Sequence, residues 1–351
     1  MIKKLKKITV RPEARIREVM EVLDSAAHQI ALVTNSDDIL IATVTDGDIR
    51  RGLLKGVDLN APVSEVMNRN PMTLIEGTSD ETAWKLMRER GVGQIPIVDT
   101  KGRLVSVTLR NGRIGSKPWP NRVILMAGGL GVRLHPLTEK MPKPMLPVAG
   151  KPLLERIITR FKGQGFRRFT LSLNYLGHVI KDHFGDGATL GVRVDYIEET
   201  TRMGTGGALS ILPQRPEEPF IVMNGDILTT VSFSKILEFH NKTNSIVTIC
   251  TREFNLQVPY GVLNTEGNRL VSMEEKPVHK YLINAGIYAL SPVVFEFLQN
   301  EESLDLPDLI ERVRDLGHRV SVFHISGYWM DIGSHKDLER ARADYEIVFE
   351  K

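Results

Sequence analysis

The stretch that decides the fold is RVILMAGGLGVRLHPLTEKMPKPMLPVAGKPLLE, residues 122–155. It begins with an apolar strand over 122–129, passes through a glycine-rich loop, and enters an amphipathic helix in PLLERIITRFKGQGF (152–166). A strand that runs directly into glycines leaves backbone N–H groups unobstructed by side chains, so the loop can approach phosphate oxygens closely. The pattern therefore predicts a strand–loop–helix unit that binds phosphate.

Two cations follow this loop. The loop is not a Walker motif, because no GK[ST] follows, and it lacks the third glycine of GxGxxG. Arg133 lies two residues after Gly131, and Lys143 stands in the PKP string just beyond. Either cation alone would be interpreted as an ordinary surface charge. A polyphosphate held by the backbone of Gly128, Gly129 and Gly131 would meet both.

The sequence after this unit alternates between strand-like and helical stretches. The strand candidates are RRFTLSLN, VRVDYIE, PFIVMNGD, SIVTIC, YGVLN and INAGIYAL. This alternation predicts an α/β fold with a Rossmann-like, doubly wound mixed sheet. Ligands of such sheets bind in the crevice at the carboxyl ends of the strands, where the polar motifs of this chain fall.

The region before residue 115 contains an internal repeat. ILIATVTDGDIRRGL (39–53) aligns with RLVSVTLRNGRIGS (103–116), with Thr45 placed on Thr108. Each copy reads as a β-α-β unit that leaves an apolar face uncovered, so pairing the two copies is the economical arrangement. GSKPWPN (115–121) has the composition of a linker. We therefore expect a first domain over 1–116, a linker over 117–121 and a second domain over 122–351.

The composition excludes several classes of protein. Hydrophobic residues make up 42% of the 351 and charged residues 25%, which excludes a wholly disordered chain. The formal net charge is +3, and the excess sits in KKLKK near the start without a wider basic stripe, so we expect no nucleic-acid partner.

The same sequence gives no sign of a membrane or secretory segment. No stretch reaches the roughly 18 uncharged apolar residues of a membrane span, and charged sequence follows the lysines where a signal peptide would be apolar. The single Cys250 allows no internal disulfide and reads as a small buried hydrophobe. We expect a cytoplasmic protein.

The N-terminal region resembles a tandem pair of CBS domains, most typically in VTDGDIRRG and in VSEVMNRNPMTL. The resemblance implies that Thr45, Asp46 and Asp48 bind the phosphate and ribose of an adenine nucleotide. A carboxylate can accept hydrogen bonds from both ribose hydroxyls. The second copy has Leu109 and Asn111 in place of the two acids, so we expect one nucleotide site at most. A module that only dimerises or scaffolds remains equally open.

Residues 122–347 resemble the sugar-1-phosphate nucleotidyltransferase family, with GGLGVRLHPLTEKMPKPMLPVAGKPLLE as the anchor. The resemblance implies the reaction of an NTP with a sugar 1-phosphate to give an NDP-sugar and pyrophosphate. Such a site needs cations and hard oxygen ligands for Mg²⁺ rather than a covalent nucleophile. Leu130 and Val132 depart from the small or hydroxylic residues common in the family's loop.

The resemblance also implies roles for individual residues. Asp226 in FIVMNGD and Asp331 in GYWMDIGS match the family's metal-ligand positions. Arg133 and Lys143 would hold the NTP phosphates, and Lys276 in MEEKP would hold the sugar phosphate. For the sugar itself, the matching positions are Gly261, Glu275 and Asn284.

The choice of base is inferred from EETTRMGTGGAL, which resembles the family's base-recognition segment. The residue five before Gly204 is Glu199, where relatives that use dTTP or UTP commonly have Gln. An ionised carboxylate only accepts hydrogen bonds, and guanine offers two adjacent donors, the N1–H and the N2 amine. Glu199 therefore favours GTP. An alignment shifted by one would make Glu198 or Thr200 the contact instead.

The sequence thus predicts a Mg²⁺-dependent guanylyltransferase that forms a homo-oligomer and takes a hexose or hexosamine 1-phosphate. Glucosamine 1-phosphate, mannose 1-phosphate and heptose 1-phosphate are all candidates. A thymidylyl- or uridylyltransferase of the same family and a non-catalytic nucleotide-binding regulator are the alternatives. The regulator is disfavoured because the five charged site residues all occur together.

Overall fold

The computed structural model describes residues 3–26, 29–78, 80–109, 112–114, 118–199, 201–299 and 302–350. Asn111, Thr200 and the first residue of the predicted linker, at 117, lie outside the described residues. The chain divides into two compact units. Unit 1 comprises Met1–Trp119, Arg160–Gly165 and Glu346–Lys351, and unit 2 comprises Pro120–Thr159 and Phe166–Tyr345.

The helices are α1 (Lys3–Lys6), α2 (Ile16–Ala26), α3 (Asp46–Leu54), α4 (Asp80–Arg90), α5 (Leu153–Gly163), α6 (Gly177–Phe184), α7 (Gly204–Gly207), α8 (Phe233–Thr243), α9 (Leu306–Asp315) and α10 (His335–Tyr345). The strands of unit 1 are β1 (Thr9–Val10), β2 (Ala31–Thr34), β3 (Leu40–Val44), β4 (Leu74–Ile75), β5 (Gln94–Val98), β6 (Leu104–Leu109) and β7 (Gly112–Ile114).

The remaining strands are β8 (Trp119–Met126), β9 (Pro147–Val148), β10 (Lys151–Pro152), β11 (Phe166–Leu173), β12 (Arg193–Glu198), β13 (Phe220–Asn224), β14 (Ile227–Thr229), β15 (Val247–Gln257), β16 (Gly261–Glu266), β17 (Arg269–Glu275), β18 (Val278–Leu290), β19 (Val320–His324) and β20 (Trp329–Asp331). No helix in the described ranges combines the length and the apolar character that crossing a membrane requires.

Unit 1 contains the predicted repeat as two small sheets, ordered β1-β2-β3 and β4-β5-β6-β7. In both copies a short first strand runs parallel to the second strand, which pairs antiparallel with the third. Leu32 from the first copy and Leu104 and Val107 from the second share one buried cluster. The two copies therefore bury their apolar faces against each other, as the pairing argument predicts.

The two copies differ after the aligned threonines. Thr45 is the N-cap of α3, but Thr108 still lies within strand β6, and β7 occupies the positions that align with residues 49–51 inside α3. Among its described residues, the second copy is therefore strand where the first copy has the first turns of α3.

Unit 2 is built on a seven-stranded mixed sheet in the order β12-β11-β8-β13-β18-β15-β19. β11 and β12 are parallel, β8 and β13 are parallel, and β18 runs antiparallel to both its neighbours. A buried cluster joins the sheet to α9, with Ile124 and Val222 on the strands and Leu309 and Val313 on the helix. This is the expected doubly wound α/β architecture. Strand β8 begins at Trp119, inside the segment whose composition suggested a linker.

Candidate active site

The carboxyl ends of four neighbouring strands meet at one edge of the sheet. β8 ends at Met126, β11 at Leu173, β12 at Glu198 and β13 at Asn224. Backbone hydrogen bonds tie the residues that follow: Ala127 N donates to Ser172 O (2.9 Å), and Gly225 N donates to Met126 O (2.8 Å). The segments after these strands are therefore held side by side, as the fold class predicts.

A cavity of about 440 Å³ opens at this edge. The described residues that line it come from the glycine loop, the segment of Lys143 and Pro144, the strand ends, α7 with the residue Arg202 before it, and the segment that leads into α9. They are Met126, Ala127, Gly128, Gly129, Lys143, Pro144, Ser172, Glu199, Arg202, Gly204, Thr205, Asn224, Asp226, Ser303, Leu304, Asp305 and Asp308.

The glycine loop is shaped by close contacts. A Cβ on Gly128 would lie 3.0 Å from Asn174 Cβ and 3.1 Å from Asn174 N, so a larger residue would force the strand ends apart. Gly131 has a φ of +65°, and its carbonyl accepts a 2.8 Å hydrogen bond from Thr138 Oγ1. Gly128 and Gly129 line the cavity, whereas Gly131 supports the turn.

The two predicted metal ligands are brought together by a strand pairing distant in sequence. β14 pairs antiparallel with β20, with Ile227 opposite Asp331, and Ile332 N donates to Asp226 O at 3.0 Å. Asp226 and Asp331 consequently stand on adjacent backbones, although about a hundred residues separate them in sequence. Of the two, Asp226 lines the cavity.

Lys143 lies between these two carboxylates. Only 9% of Lys143 is exposed, its Nζ forms an ion pair with Asp226 Oδ2, and the same Nζ is 3.8 Å from Asp331 Oδ1. Burial and the negative charge of Asp226 raise the pKa of Asp331, while the positive charges of Lys143 and Arg133 oppose the rise. A cation at this point therefore stabilises the ionised form of Asp331 against the neighbouring negative charge.

The donor set fits a magnesium ion. Asp226 Oδ1 is buried and has no hydrogen-bond partner, which is an expensive state for a carboxylate oxygen unless a ligand uses it. Within the described ranges, no group of three or more His, Cys, Asp or Glu is arranged to enclose a metal. Mg²⁺ typically takes one or two carboxylates and completes its shell with substrate phosphates and water, so a two-carboxylate site suits it.

Arg133 approaches the same cluster from the glycine loop. A Cβ built on Gly333 would lie 3.2 Å from one guanidinium nitrogen of Arg133 and 3.3 Å from the other. His335 Nε2 is 2.9 Å from His135 O, which fastens the same loop to the start of α10. Arg133 is not among the residues that line the cavity, but it lies close enough to Asp331 to affect that carboxyl's pKa.

Glu199 lines the cavity in a fixed orientation. Its Oε1 accepts from Ser172 Oγ (2.7 Å) and its Oε2 accepts from Met203 N (3.1 Å). Glu198, by contrast, is exposed, is ion-paired with Lys181 and does not line the cavity. Of the two adjacent glutamates, the structure therefore presents Glu199 to a ligand.

The predicted sugar residues lie outside the lining of this cavity. Gly261 pairs with Glu275 across the β16–β17 hairpin, and Lys276 follows with a φ of +49°. Asn284, on β18, donates from Nδ2 to Tyr288 Oη at 2.7 Å. None of these four residues is among the described residues that line the cavity. Asn284 Oδ1 accepts from Gly286 N, and a Cβ on Gly286 would lie 2.8 Å from Nδ2 of the cavity residue Asn224, so the Asn284 segment borders the cavity.

Thr45 and Asp48, two of the three residues predicted to bind an adenine nucleotide, form hydrogen bonds with each other. Thr45 Oγ1 and Thr45 N both donate to Asp48 Oδ2, at 2.7 and 2.9 Å, and Arg51 pairs with Asp48 Oδ1. Asp48 therefore holds the first turn of α3, a reciprocal capping arrangement. Asp46 is exposed at the start of the same helix.

Several cavity residues were not predicted from the sequence: Ser172, Arg202, Thr205, Asn224, Ser303, Asp305 and Asp308. Thr205 N donates to Asp305 Oδ1 at 3.0 Å, and Leu306 N donates to Thr205 Oγ1 at 2.8 Å, so these side chains join α7 to α9. Ser172 and Asn224 could have been found, because each lies near the end of a predicted strand. Nothing local marks the 303–308 segment.

The comparisons with known proteins agree with this architecture. A family model described as nucleotidyl transferase matches residues 122–347, and CBS domain models match 1–55 and 63–107. A mannose-1-phosphate guanylyltransferase of Mycobacterium tuberculosis is 31% identical over 63% of this chain. That match covers 63% of the relative, so the chain spans under two thirds of its length.

Two shorter proteins are matched almost completely. A D-glycero-alpha-D-manno-heptose 1-phosphate guanylyltransferase of Campylobacter jejuni is 33% identical over 62% of this chain and 96% of its own length. The crystal structure of HddC from Yersinia pseudotuberculosis complexed with GMP-PN is 28% identical, with a TM-score of 0.51, and covers 64% of this chain and 99% of that one. This chain belongs to the nucleotidyl transferase family and carries CBS domains at its N-terminus.

Proposed function

We propose that this chain is a Mg²⁺-dependent guanylyltransferase that converts GTP and a sugar 1-phosphate into a GDP-sugar and pyrophosphate. The observation that carries the proposal is the cluster of Lys143, Asp226 and Asp331 at the edge of a cavity that also presents Glu199. The guanylyltransferases among the relatives support the same reaction.

The reaction needs positioning and charge neutralisation rather than proton transfer. A phosphate oxygen of the sugar 1-phosphate bonds to the α-phosphorus of GTP as the bond from that phosphorus to the β-bridging oxygen breaks. The leaving pyrophosphate takes the electron pair, and the charges of reactants and products balance without a proton. The cavity fits this chemistry, because its lining places the cations Lys143 and Arg202 in one space with the glycine loop.

The cations of the site would act on the phosphates. Lys143 is nearly buried, so its charge is weakly screened and stabilises negative charge more strongly than a surface lysine would. Arg133, held against Gly333, would neutralise the triphosphate from the loop side. Asp226 and Asp331 would hold Mg²⁺, which supplies electrostatic stabilisation to phosphate oxygens and the leaving pyrophosphate.

Glu199 would select the base. Ser172 and Met203 each occupy one lone pair on a different oxygen of Glu199, and a second lone pair remains on each oxygen. Guanine presents the N1–H and N2 amine as adjacent donors, which match two acceptors side by side. Uracil and thymine would direct a carbonyl oxygen at the carboxylate and would be repelled.

The sugar half of the site would be formed by Lys276 at the sugar phosphate and by Gly261, Glu275 and Asn284 around the ring. The names of the relatives point to mannose 1-phosphate and a heptose 1-phosphate, and glucosamine 1-phosphate stays a third candidate. For the domains, we propose a CBS region over 1–116, a connection over 117–121 and a catalytic region over 122–351.

In the CBS region, Thr45, Asp46 and Asp48 form the proposed site for an adenine nucleotide. Since Asp48 caps α3 and pairs with Arg51, Asp46 is the carboxylate free to accept from a ribose. Calorimetry should show AMP, ADP or ATP binding that weakens in Asp46→Ala. Absence of any heat with the wild type would leave only the scaffold role.

The function is tested by pyrophosphate release from GTP, UTP, dTTP, CTP and ATP against the three sugar 1-phosphates with Mg²⁺. We expect release with GTP and at least one sugar. Release with dTTP or UTP but not with GTP would contradict the base assignment. Nucleotide binding without release for any pair would show a non-catalytic regulator.

A further inference from the structure

Arg202 is a cation of the cavity that the predicted site does not use. It lines the cavity, and it is exposed there. Within the described part of the chain, its guanidinium forms no hydrogen bond and no ion pair, although the carboxylates of Glu199, Asp305 and Asp308 line the same cavity. The five N–H donors of the guanidinium are therefore left for water or for a ligand.

The backbone around Arg202 is held in place. The peptide N–H that follows Arg202 belongs to Met203, and it donates to Glu199 Oε2 at 3.1 Å. Met203 O accepts from Leu304 N at 2.8 Å, and Leu304 O accepts from Gly206 N at 2.8 Å. Arg202 thus belongs to a segment that is fastened both to Glu199 and to the residues that lead into α9.

Arg202 and Glu199 stand next to each other in the folded chain. Because the Glu199 carboxylate binds the peptide group that follows Arg202, the Arg202 side chain starts beside that carboxylate. The described hydrogen bonds of the two Glu199 oxygens nevertheless go to Ser172 and Met203 and not to the guanidinium. One end of the cavity therefore presents acceptors and unused donors side by side. Such an arrangement suits a ligand that carries donors and acceptors on adjacent edges.

Guanine is a ligand of this kind. Its N1–H and N2 amine are donors, whereas its O6 and N7 are acceptors on the neighbouring edge. The planar fork of an arginine can donate to O6 and N7 at once, which is the commonest specific contact that proteins make to guanine in DNA. Adenine has an amine where guanine has O6, so it would direct a donor at the cation. Pyrimidines have no N7.

We propose that Arg202 is a second specificity-determining residue, which donates to O6 and N7 of guanine while Glu199 accepts from the N1–H and the N2 amine. The inference rests on the proposed function, since it takes GTP as the nucleotide. It adds a second edge of the base to the recognition. Glu199 repels the carbonyl oxygens of uracil and thymine, and Arg202 rejects the amine of adenine.

A contact of Arg202 with the triphosphate is the competing role. The cavity places Lys143 together with Gly128 and Gly129, and this is the end that would hold the phosphates. A phosphate drawn to Arg202 would stand near the Glu199 carboxylate and would be repelled by it. The base carries no net charge, so it can lie between the two side chains without this cost.

The test is kcat/KM of pyrophosphate release with GTP, 7-deaza-GTP and ITP, measured for the wild type and for Arg202→Ala. 7-Deaza-GTP has a C–H group in place of N7, and ITP lacks the N2 amine. In the wild type, 7-deaza-GTP should be poorer than GTP by about 2- to 12-fold. Arg202→Ala should lose roughly 5- to 150-fold with GTP and should use GTP and 7-deaza-GTP equally well. Its preference for GTP over ITP, which depends on Glu199, should persist.

Two further variants separate the fork from the charge. Arg202→Lys keeps the positive charge but not the planar fork, so it should also lose the preference for GTP over 7-deaza-GTP. The matched control is Arg168→Ala, which removes an exposed arginine of β11 that is not among the described residues lining the cavity. It should keep all the wild-type ratios. Circular dichroism and the melting temperature establish that each variant is folded.

Three results would overturn the inference. They are wild-type kcat/KM for GTP in Arg202→Ala, equal use of GTP and 7-deaza-GTP by the wild type, and an Arg202→Ala variant that loses activity equally with all three nucleotides. The last result would assign Arg202 to the triphosphate. Failure of the proposed function is a different outcome. A wild type that releases pyrophosphate from no nucleotide, or from UTP or dTTP but not from GTP, would contradict the function and this inference together.

Discussion

Replacing Glu199 by Gln is the change that best separates base recognition from general catalysis. The substitution keeps the size of the side chain and replaces one acceptor oxygen by an NH₂ donor. Met203 N can only donate, so the amide oxygen must remain on that side. The NH₂ is then placed beside Ser172 Oγ, which can rotate its hydroxyl and accept. The variant should therefore fold normally.

The cost to GTP follows from this forced orientation. One guanine donor would face an NH₂ group, and the other would lose a charged acceptor. Hydrogen bonds to charged groups contribute about 1.5–3 kcal/mol, so kcat/KM for GTP should fall by roughly 10- to 150-fold. The same amide can pair with both edges of a pyrimidine, so UTP or dTTP should improve relative to GTP.

The assay is the pyrophosphate-release rate with GTP, UTP and dTTP for the wild type and both single variants of the adjacent glutamates. Glu198→Gln is the matched control, because Glu198 lies outside the cavity and pairs with Lys181, and it should change kcat/KM less than twofold. If Glu199→Gln kept the wild-type ratio of GTP to UTP rates, the assignment of Glu199 to base recognition would be refuted.

Three further predictions concern positioning and stability. Gly333→Ala should lower kcat, because the added methyl group displaces the guanidinium of Arg133, and the variant should keep the wild-type melting temperature. A wild-type kcat would show that this contact is irrelevant. His335→Ala removes a hydrogen bond to the carbonyl oxygen of His135 that is worth about 1 kcal/mol, so it should raise KM for GTP about fivefold. His335→Gln can still donate to that carbonyl and should restore the wild-type KM. Equal kinetics for the two variants would contradict the positioning role. Burial lowers the pKa of His240 from 6.5 to about 4, so the folded state resists its protonation and stability falls as the pH drops from 6.5 towards 4. Urea unfolding should show a loss of about 3 kcal/mol over that window that His240→Gln lacks, and parallel pH profiles would disprove it.

Local patterns were sufficient to predict the fold class. The apolar strand at Val123–Leu125, the glycines after it and the repeat around Thr45 are each defined by a few consecutive residues, and each is present in the structure. The second repeat was harder to predict, because the strand β7 replaces a helix there and the sequence around it aligns well with the first copy.

Site residues that belong to sequence motifs could be predicted, whereas the contacts between distant segments that arrange them could not. Lys143 and Asp226 can be identified from the motifs around them, but only the structure shows that Lys143 lies between Asp226 and Asp331. Likewise, counting back from Gly204 located Glu199, while the fixed orientation of its carboxylate depends on Ser172, 27 residues earlier. Contacts between segments so far apart leave no periodicity in the sequence.

The central claim is that Asp226, Asp331 and Lys143 form one catalytic centre, and its most direct test is the rate of pyrophosphate release in Asp226→Asn over a Mg²⁺ titration. With GTP and the best sugar 1-phosphate, we predict a loss of roughly a thousandfold at saturating Mg²⁺ and an unchanged melting temperature, while Asp315→Asn, at an exposed carboxylate, keeps the wild-type rate. A folded Asp226→Asn variant with a rate within tenfold of wild type and the same Mg²⁺ dependence would contradict the account.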